Sequence, residues 1–319
     1  MNPPAYVGFG MLTPVAIMVV NQLPEHNTGA IVKEVNEFIF DDAAIIACLL
    51  RQWNVPTAMI GTAVGDDLRG HNLADQLKEW GVQSQVRFSK EFKTPLEVDV
   101  SDETGARTYF WQRPVDVLNT LDTADLSYLE QARLLYVDWY DGNHILRAMD
   151  EAARLKIPIF LNMEYAHADP ELLARYAGRA AICQAVTDVA QVDATDPLEV
   201  ALKLRNAGVE TALVTLAGEG SLVLHEDEIL RVRAPQVTAV DGCGAGATYS
   251  AGFIYGWLHG WRIEESARFA TAAASLKVMR AGLQMFPVEE IMKTAAGLEV
   301  KSSILSMERE SLANRSRKG

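Results

Sequence analysis

Apolar residues run almost without interruption from Ala5 to Met11, with Gly8 and Gly10 among them, which predicts a strand buried on both faces. A second short apolar run, Val15 to Val20, predicts another strand; it is too short to cross a bilayer and lacks a basic flank. Past the Asn21 to Gly29 turn, Ala30 to Phe40 alternates imperfectly, as a half-exposed strand does. Asp41 to Asn54 carries apolar residues at helical spacing, with Asp41 or Asp42 placed to cap it and Pro56 preventing continuation. Thr57 to Val64 predicts a strand ending in Gly65-Asp66-Asp67, and Leu68 to Trp80 an amphipathic helix stopped at Gly81.

The pattern then changes. Phe92 to Val100 and Arg107 to Gln112 are strand-like and flank Ser101-Asp102-Glu103-Thr104-Gly105, a hairpin-type turn. With the runs at 15–20 and 30–40 they make a small sheet that stands off the main body as a lid. Strand and helix alternate again from Leu134: Leu134 to Asp138, Asn143 to Leu155, Ile157 to Leu161, Pro170 to Tyr176, Ala180 to Gln184, Pro197 to Ala207 and Thr211 to Leu216. A hairpin follows, Ser221 to His225 with Ile229 to Ala234, and a strand-like run from Leu230 to Val240 leads into a glycine-rich loop. The fold class is therefore α/β: a mostly parallel sheet covered by helices on both faces, with a β-sheet lid. One domain spans 1–300, with lid strands drawn from about 15–40 and 92–112; the charged stretch 301–319 reads as a tail, a short helix followed by disorder.

Composition narrows the function classes. A chain of 319 residues, 49% hydrophobic, can bury a large core, and the net charge of −13 with no basic cluster disfavours nucleic acid and anionic membranes as partners. Cys48, Cys183 and Cys243 are far apart and offer neither a disulfide framework nor zinc spacing, which fits a reducing, cytoplasmic setting.

The chemistry centres on Asp241-Gly242-Cys243-Gly244-Ala245-Gly246-Ala247, which lies between the strand-like run and a long apolar helix. Its glycines let consecutive N–H groups point at one spot, and the helix adds the positive end of its dipole, so the loop is built to hold an anion such as a phosphate; packing alone also accounts for glycine there. In a parallel sheet, ligands bind at the carboxyl ends of the strands, where both this loop and Val214-Thr215-Leu216-Ala217-Gly218-Glu219-Gly220 fall.

The order of these parts resembles the ribokinase-like, or pfkB-type, carbohydrate kinases. The resemblance is carried by Gly61 to Gly65 with Asp66-Asp67, Leu77-Lys78-Glu79-Trp80 before Gly81-Val82, Thr94-Pro95, Gly105 with Arg107-Thr108, Val214-Thr215-Leu216 with Gly218 and Gly220, and Gly244-Ala245-Gly246. It covers roughly residues 5 to 300. It implies ATP and magnesium as cofactors and transfer of the γ-phosphoryl group to the alcohol of a sugar, nucleoside or similar molecule. The N–H groups of Gly244, Ala245 and Gly246 then form the anion hole, and the general base falls at Ala247, whose methyl group cannot take a proton. Thr215, Gly218, Gly220 and Asp241 are the nucleotide-side candidates.

Other departures accompany Ala247. Phe40-Asp41 stands where the family carries a Gly-Gly pair and Ile45 where it carries a substrate-binding asparagine. No acid occurs between Phe9 and Val20, and an expected Asn-x-x-Glu near Gln184 to Ala190 is missing, Asp188 being the only acid there. Several separate losses favour a scaffold that has given up phosphoryl transfer and serves in binding, regulation or assembly, with a small-molecule, nucleotide or protein partner. The alternative is a working kinase in which Ala247 is an engineered change or is compensated by another acid.

Phe40, Asp41, Asp42 and Asp138 line the expected substrate crevice. Asp41 and Asp42 are also natural caps. Asp141, His144, Glu164 and His167 are weaker candidates that a solvated loop explains equally; Trp139, Tyr140 and Tyr165 can stack on a ring or close a core. Cys243 reads as a small buried residue, although its place in the loop would also suit redox control. Relatives pair their lid sheets, which predicts a homodimer through the lid.

Overall fold

A computed structural model of the chain describes residues 2–187 and 196–306, and at Phe40 the backbone alone. Asp188 and the end of the charged stretch, 307–319, lie outside the described residues, as does the side chain proposed for Phe40's part of the crevice.

Ten strands form the main sheet. Their order across it is Val300–Ile304, Glu228–Arg233, Gly220–His225, Thr211–Thr215, Ile182–Val186, Ile159–Glu164, Leu134–Asp138, Tyr6–Gly10, Thr57–Gly61 and Gln83–Ser84. The run from Thr211–Thr215 to Gln83–Ser84 is parallel, and the three strands at the other edge are antiparallel. Period-two alternation builds both cores: in Leu134–Asp138, Leu134 and Tyr136 point to one face, Leu135 and Val137 to the other. The first face is covered by the helices Asp42–Gln52, Ala245–Leu258 and Ile263–Lys277, through Leu49, Phe253 and Phe269. The second is covered by Leu146–Leu155 and Pro197–Asn206, through Met149 and Leu204.

A separate four-stranded sheet, in the order Val32–Phe40, Thr13–Val20, Leu96–Ser101, Arg107–Gln112, is the lid expected from the sequence. One of its strands starts at Leu96 rather than Phe92 because Pro95 has no N–H to give a ladder and Thr94 is tied to Asp67, its N–H 3.0 Å from Oδ2. Thr13, Val15, Ile17 and Val19 form the buried face of their strand, and Val15 and Ile17 pack on Cys243 of the glycine loop. Cross-strand register puts Glu97, Asp99, Ser101, Arg107, Tyr109 and Trp111 on that same inner face.

Two expectations need correction. The strand-like run to Val240 ends at Arg233: Pro235 follows, and Val240 instead donates its N–H to the Val278 carbonyl at 2.7 Å. The tail does not begin at 301, because Val300–Ile304 pairs with Glu228–Arg233 as an edge strand and Leu305 is buried. Polar residues hid this strand, since most of its side chains are exposed and backbone pairing, helped by Val300 on the core and Ser302 Oγ 2.7 Å from Glu228 Oε1, holds it.

Candidate functional site

The glycine loop is fixed from below. Asp241 is fully buried and its carboxylate accepts from Ser101 Oγ at 2.8 Å and Cys243 N–H at 2.9 Å on Oδ1, and from Lys277 Nζ at 2.8 Å and Gly282 N–H at 2.9 Å on Oδ2. Lys277 also reaches the Asp241 carbonyl at 2.9 Å, and both side chains of this ion pair are wholly excluded from solvent. Burial opposes ionisation of Asp241, but the Lys277 ammonium and these donors outweigh it and hold the carboxyl below its usual range. A carboxylate has about four lone-pair sites, and all are taken. Asp241 therefore positions the loop and has no lone pair left for a nucleotide, which corrects its assignment to the nucleotide side.

Above Asp241 the chain turns at Gly244, whose φ of 73° is in the left-handed region, and enters the helix Ala245–Leu258. The Ala245 N–H is used locally, by the Gly242 carbonyl at 3.2 Å. Among the described residues, the N–H groups of Gly244, Gly246 and Ala247 have no acceptor. The free donors are thus offset from the expected Gly244-Ala245-Gly246 set by the inclusion of Ala247, and backbone N–H groups at a helix start suit an anion. Ala247 itself is fully buried.

Gln184 steadies this turn: its Oε1 accepts from Ser250 Oγ at 2.7 Å and its Nε2 lies 3.4 Å from the Gly246 carbonyl. Thr215 closes its strand, with Oγ1 3.4 Å from the Ala185 carbonyl. Gly218 and Gly220 differ. Gly220 has φ 108° and a Cβ there would fall 2.0 Å from the Val232 carbonyl, so the backbone requires glycine; at Gly218 a Cβ would meet open space. The Cys243 thiol is pushed up by burial, which the Arg107 guanidinium only partly offsets, so it behaves as a packing residue.

On the substrate side, acids from separate elements meet at the end of the first strand. Asp41 sits at the N-cap of Asp42–Gln52 but makes no capping hydrogen bond; Tyr140 donates its hydroxyl to Oδ1 at 2.5 Å instead, and the backbone φ of Asp41 is 92°. The capping reading is thus corrected: the tyrosine is a competing partner in a buried site. Asp42 accepts from Asn162 Nδ2 at 3.2 Å, Asp138 from Tyr136 at 3.1 Å, and Asp141 from the Met11 N–H at 3.3 Å.

The Asp141 carboxylate lies so close to Gly10 that a Cβ there would be 2.6 Å from Oδ2, and Asp41 Oδ1 would be 3.8 Å away. Asp141, from the short helical segment Trp139–Ile145, thus lies beside a first strand that carries no acid of its own. Glu164 joins through an irregularity in pairing between Asn162 and Glu164, with φ 42°. Burial raises Asp41 to about 7 and Asp42 to about 8, and raises Asp138 and Asp141 as well. Asp41 Oδ2, Asp138 Oδ2, Asp141 Oδ1 and Asp99 Oδ1 are buried without a partner among the described residues.

The weaker candidates separate. Asp141 and Glu164 belong to the crevice, whereas His144 pairs with Asp122 at 2.8 Å outside it and His167 binds the Val186 carbonyl at 2.8 Å. Trp139 and Tyr165 meet edge to face with ring centres 5.3 Å apart. Ile45, at the asparagine position, packs its Cδ1 3.7 Å from where a Gly244 Cβ would be and so seats the first helix on the loop. Among the described residues, no group of three His, Cys, Asp or Glu side chains is arranged to hold a metal ion.

The matched family is the pfkB family carbohydrate kinases, over residues 42–290. The chain belongs to this family. The pfkB chain is 26% identical over 281 residues to the nucleoside kinase of Methanothermobacter thermautotrophicus, covering 84% of this chain and 87% of that protein. Solved structures share the fold. The ribokinase of Thermotoga maritima superposes with a TM-score of 0.75 at 18% identity, covering 92% of this chain and 100% of that one. The Arabidopsis thaliana ribokinase, solved with ribose and ATP, superposes at 0.73 and 21% identity, over 92% and 99%.

Sequence reading of this pfkB chain missed Asn162, Lys277 and the inward aim of Arg107. Lys277 carried a signal, as a lone cation in the otherwise small and apolar stretch Ala270 to Val278. Asn162 and Arg107 carried none without the sheet order and the lid register.

Proposed function

We propose that this pfkB-family chain binds a small molecule, with or without a nucleotide, and serves in binding, regulation or assembly rather than in efficient phosphoryl transfer. The observation that carries the reading is Ala247: a fully buried methyl group at the family's base position, above an Asp241 whose oxygens are all engaged. Loss of a positioned base lowers turnover by ~10²- to 10⁴-fold. Nucleotide binding is supported by the free N–H groups of Gly244, Gly246 and Ala247 and by the open space at Gly218; magnesium would enter with the phosphates. A second reading, an active kinase of a sugar or nucleoside, is favoured by Asp41 and Asp42, which lie one turn before Ile45 and hence on the side of the helix that meets the loop.

A coupled assay of ADP formation with ATP and magnesium, over a panel of sugars and nucleosides, separates the two. The proposal expects no substrate-dependent turnover above background. Robust turnover with Ala247 in place overturns it, and loss of that turnover in Asp42→Asn would assign the base. Gain of turnover in Ala247→Asp alone would identify an intact site that lacks only its base.

A homodimer through the lid is part of this proposal, supported by the apolar outer face of that sheet, where Val35 and Phe110 are 59% and 61% exposed. A cytoplasmic setting is supported by three cysteines that are all free and buried.

A further inference from the structure

The crevice gathers more carboxyl groups than cations to pair with them. Asp41, Asp42, Asp138, Asp141 and Glu164 converge from the body and Glu97 and Asp99 from the lid, against Arg107 and Arg113. Arg107 is partly engaged already, 3.4 Å from Asp99. Unpartnered carboxylate oxygens remain on Asp41, Asp138, Asp141 and Asp99, all residues fully excluded from solvent.

A further buried polar group is independent of the acids. The Thr13 hydroxyl is 1% exposed and has no partner among the described residues; it lies on the inner lid face, in line with Val15 and Ile17, which touch the glycine loop. The same face presents Tyr109 and Trp111, stacked with ring centres 5.3 Å apart, directly opposite Asp99 and Glu97 in the register. Arg107 already lies over the Tyr109 ring at 5.4 Å, so this wall accepts cations, and Trp111 is 58% exposed.

We infer that the crevice selects a ligand carrying a protonated amine, an amino-polyol or amino-sugar, whose ammonium sits among Asp41, Asp42 and Asp138 while its hydroxyls meet Thr13 and the remaining carboxyl oxygens. A phosphorylated or carboxylated ligand at the same place would desolvate its own charge with no cation gained, and would hold the buried carboxyls protonated. A neutral sugar gives the buried carboxyls no cation to ionise against. The inference rests on reading the crevice as the ligand site and is independent of whether phosphoryl transfer survives.

The test is isothermal titration of the full chain, without nucleotide, with matched pairs: glucosamine against glucose, and glucamine against sorbitol. The amine of each pair is expected to bind tighter by about tenfold or more, the effect of one well-placed charged contact. Its binding at pH 7 is also expected to release protons, read from the dependence of the heat on buffer ionisation enthalpy, because a seated cation drives the protonated acids to ionise. Asp42→Asn is expected to abolish the preference while melting no lower than the parent, which separates loss of the site from loss of the fold. Equal or tighter binding of the neutral partner, no binding of either amine, or a preference that survives Asp42→Asn overturns the inference. Turnover of ATP by the parent chain would overturn the retired-kinase proposal and leave this one standing.

Discussion

Lys277→Met removes the cation beneath the glycine loop while keeping most of the side-chain volume. In the parent, Lys277 Nζ is 2.8 Å from Asp241 Oδ2 and 2.9 Å from its carbonyl, with both side chains excluded from solvent. The variant leaves Asp241 with neutral donors only, from Ser101, Cys243 and Gly282. Breaking a buried pair by deleting one partner costs about 3–5 kcal/mol, because the surviving charge stays desolvated. For a domain of this size each kcal/mol lowers the midpoint by about 2 °C, so a fall of about 6–10 °C is expected at pH 7 by circular dichroism. The deficit also depends on pH. Since the folded carboxyl of Asp241 is held below its ordinary value, its stabilisation is present above the ordinary carboxylate range and is lost as pH falls through the folded value. The gap between parent and variant should therefore narrow on acidification, and adding Asp241→Asn to the variant should recover most of the loss. A midpoint within about 2 °C of the parent at pH 7 would refute the argument that this pair holds the loop.

Other outcomes follow from the same structure. Burial raises Asp41 to about 7, and Asp42 and Glu97 to about 8, so the folded chain keeps protons that the unfolded chain releases; stability should fall as pH rises from about 5 to 8, with a shallower slope in Asp42→Asn when melting is followed across that range. Gly220→Ala puts a methyl group against the Val232 carbonyl at a left-handed φ and should cost more than the ~1–3 kcal/mol of backbone strain alone, whereas Gly218→Ala should stay within about 0.5 kcal/mol in urea titrations. Equal costs at the two glycines would contradict the different spaces around them. Phe110→Arg should give a monomer by analytical ultracentrifugation if the outer lid face joins two copies; a parent chain that sediments as a monomer removes that reading.

The fold was legible where local pattern and tertiary role coincide. Apolar runs followed by helical spacing marked the parallel strands, and the turn at 101–105 between alternating runs marked the lid hairpin. Pattern failed where an exposed, polar edge strand leans mainly on backbone pairing, as at Val300–Ile304, and where proline cut a run short, as beyond Arg233. The glycine loop was visible as a motif, but its anchor was not: Asp241 and Lys277 are 36 positions apart and meet only because the last long helix returns beneath the loop. The acidic crevice was harder still. Asp41, Asp138, Asp141 and Glu164 sit at the ends of different elements, and the strand order, which places Leu134–Asp138 between Tyr6–Gly10 and Ile159–Glu164, is what brings them together. Capping preference pointed away from that role for Asp41, since it scores the local helix and not a tyrosine 99 residues downstream.

The hydroxyl of Ser101 ties the lid directly to the carboxylate that sets the cradle. Any movement of the lid away from the loop must stretch or break that bond, and if a ligand drove such a movement, the coupling free energy to the anion donors would act equally in both directions.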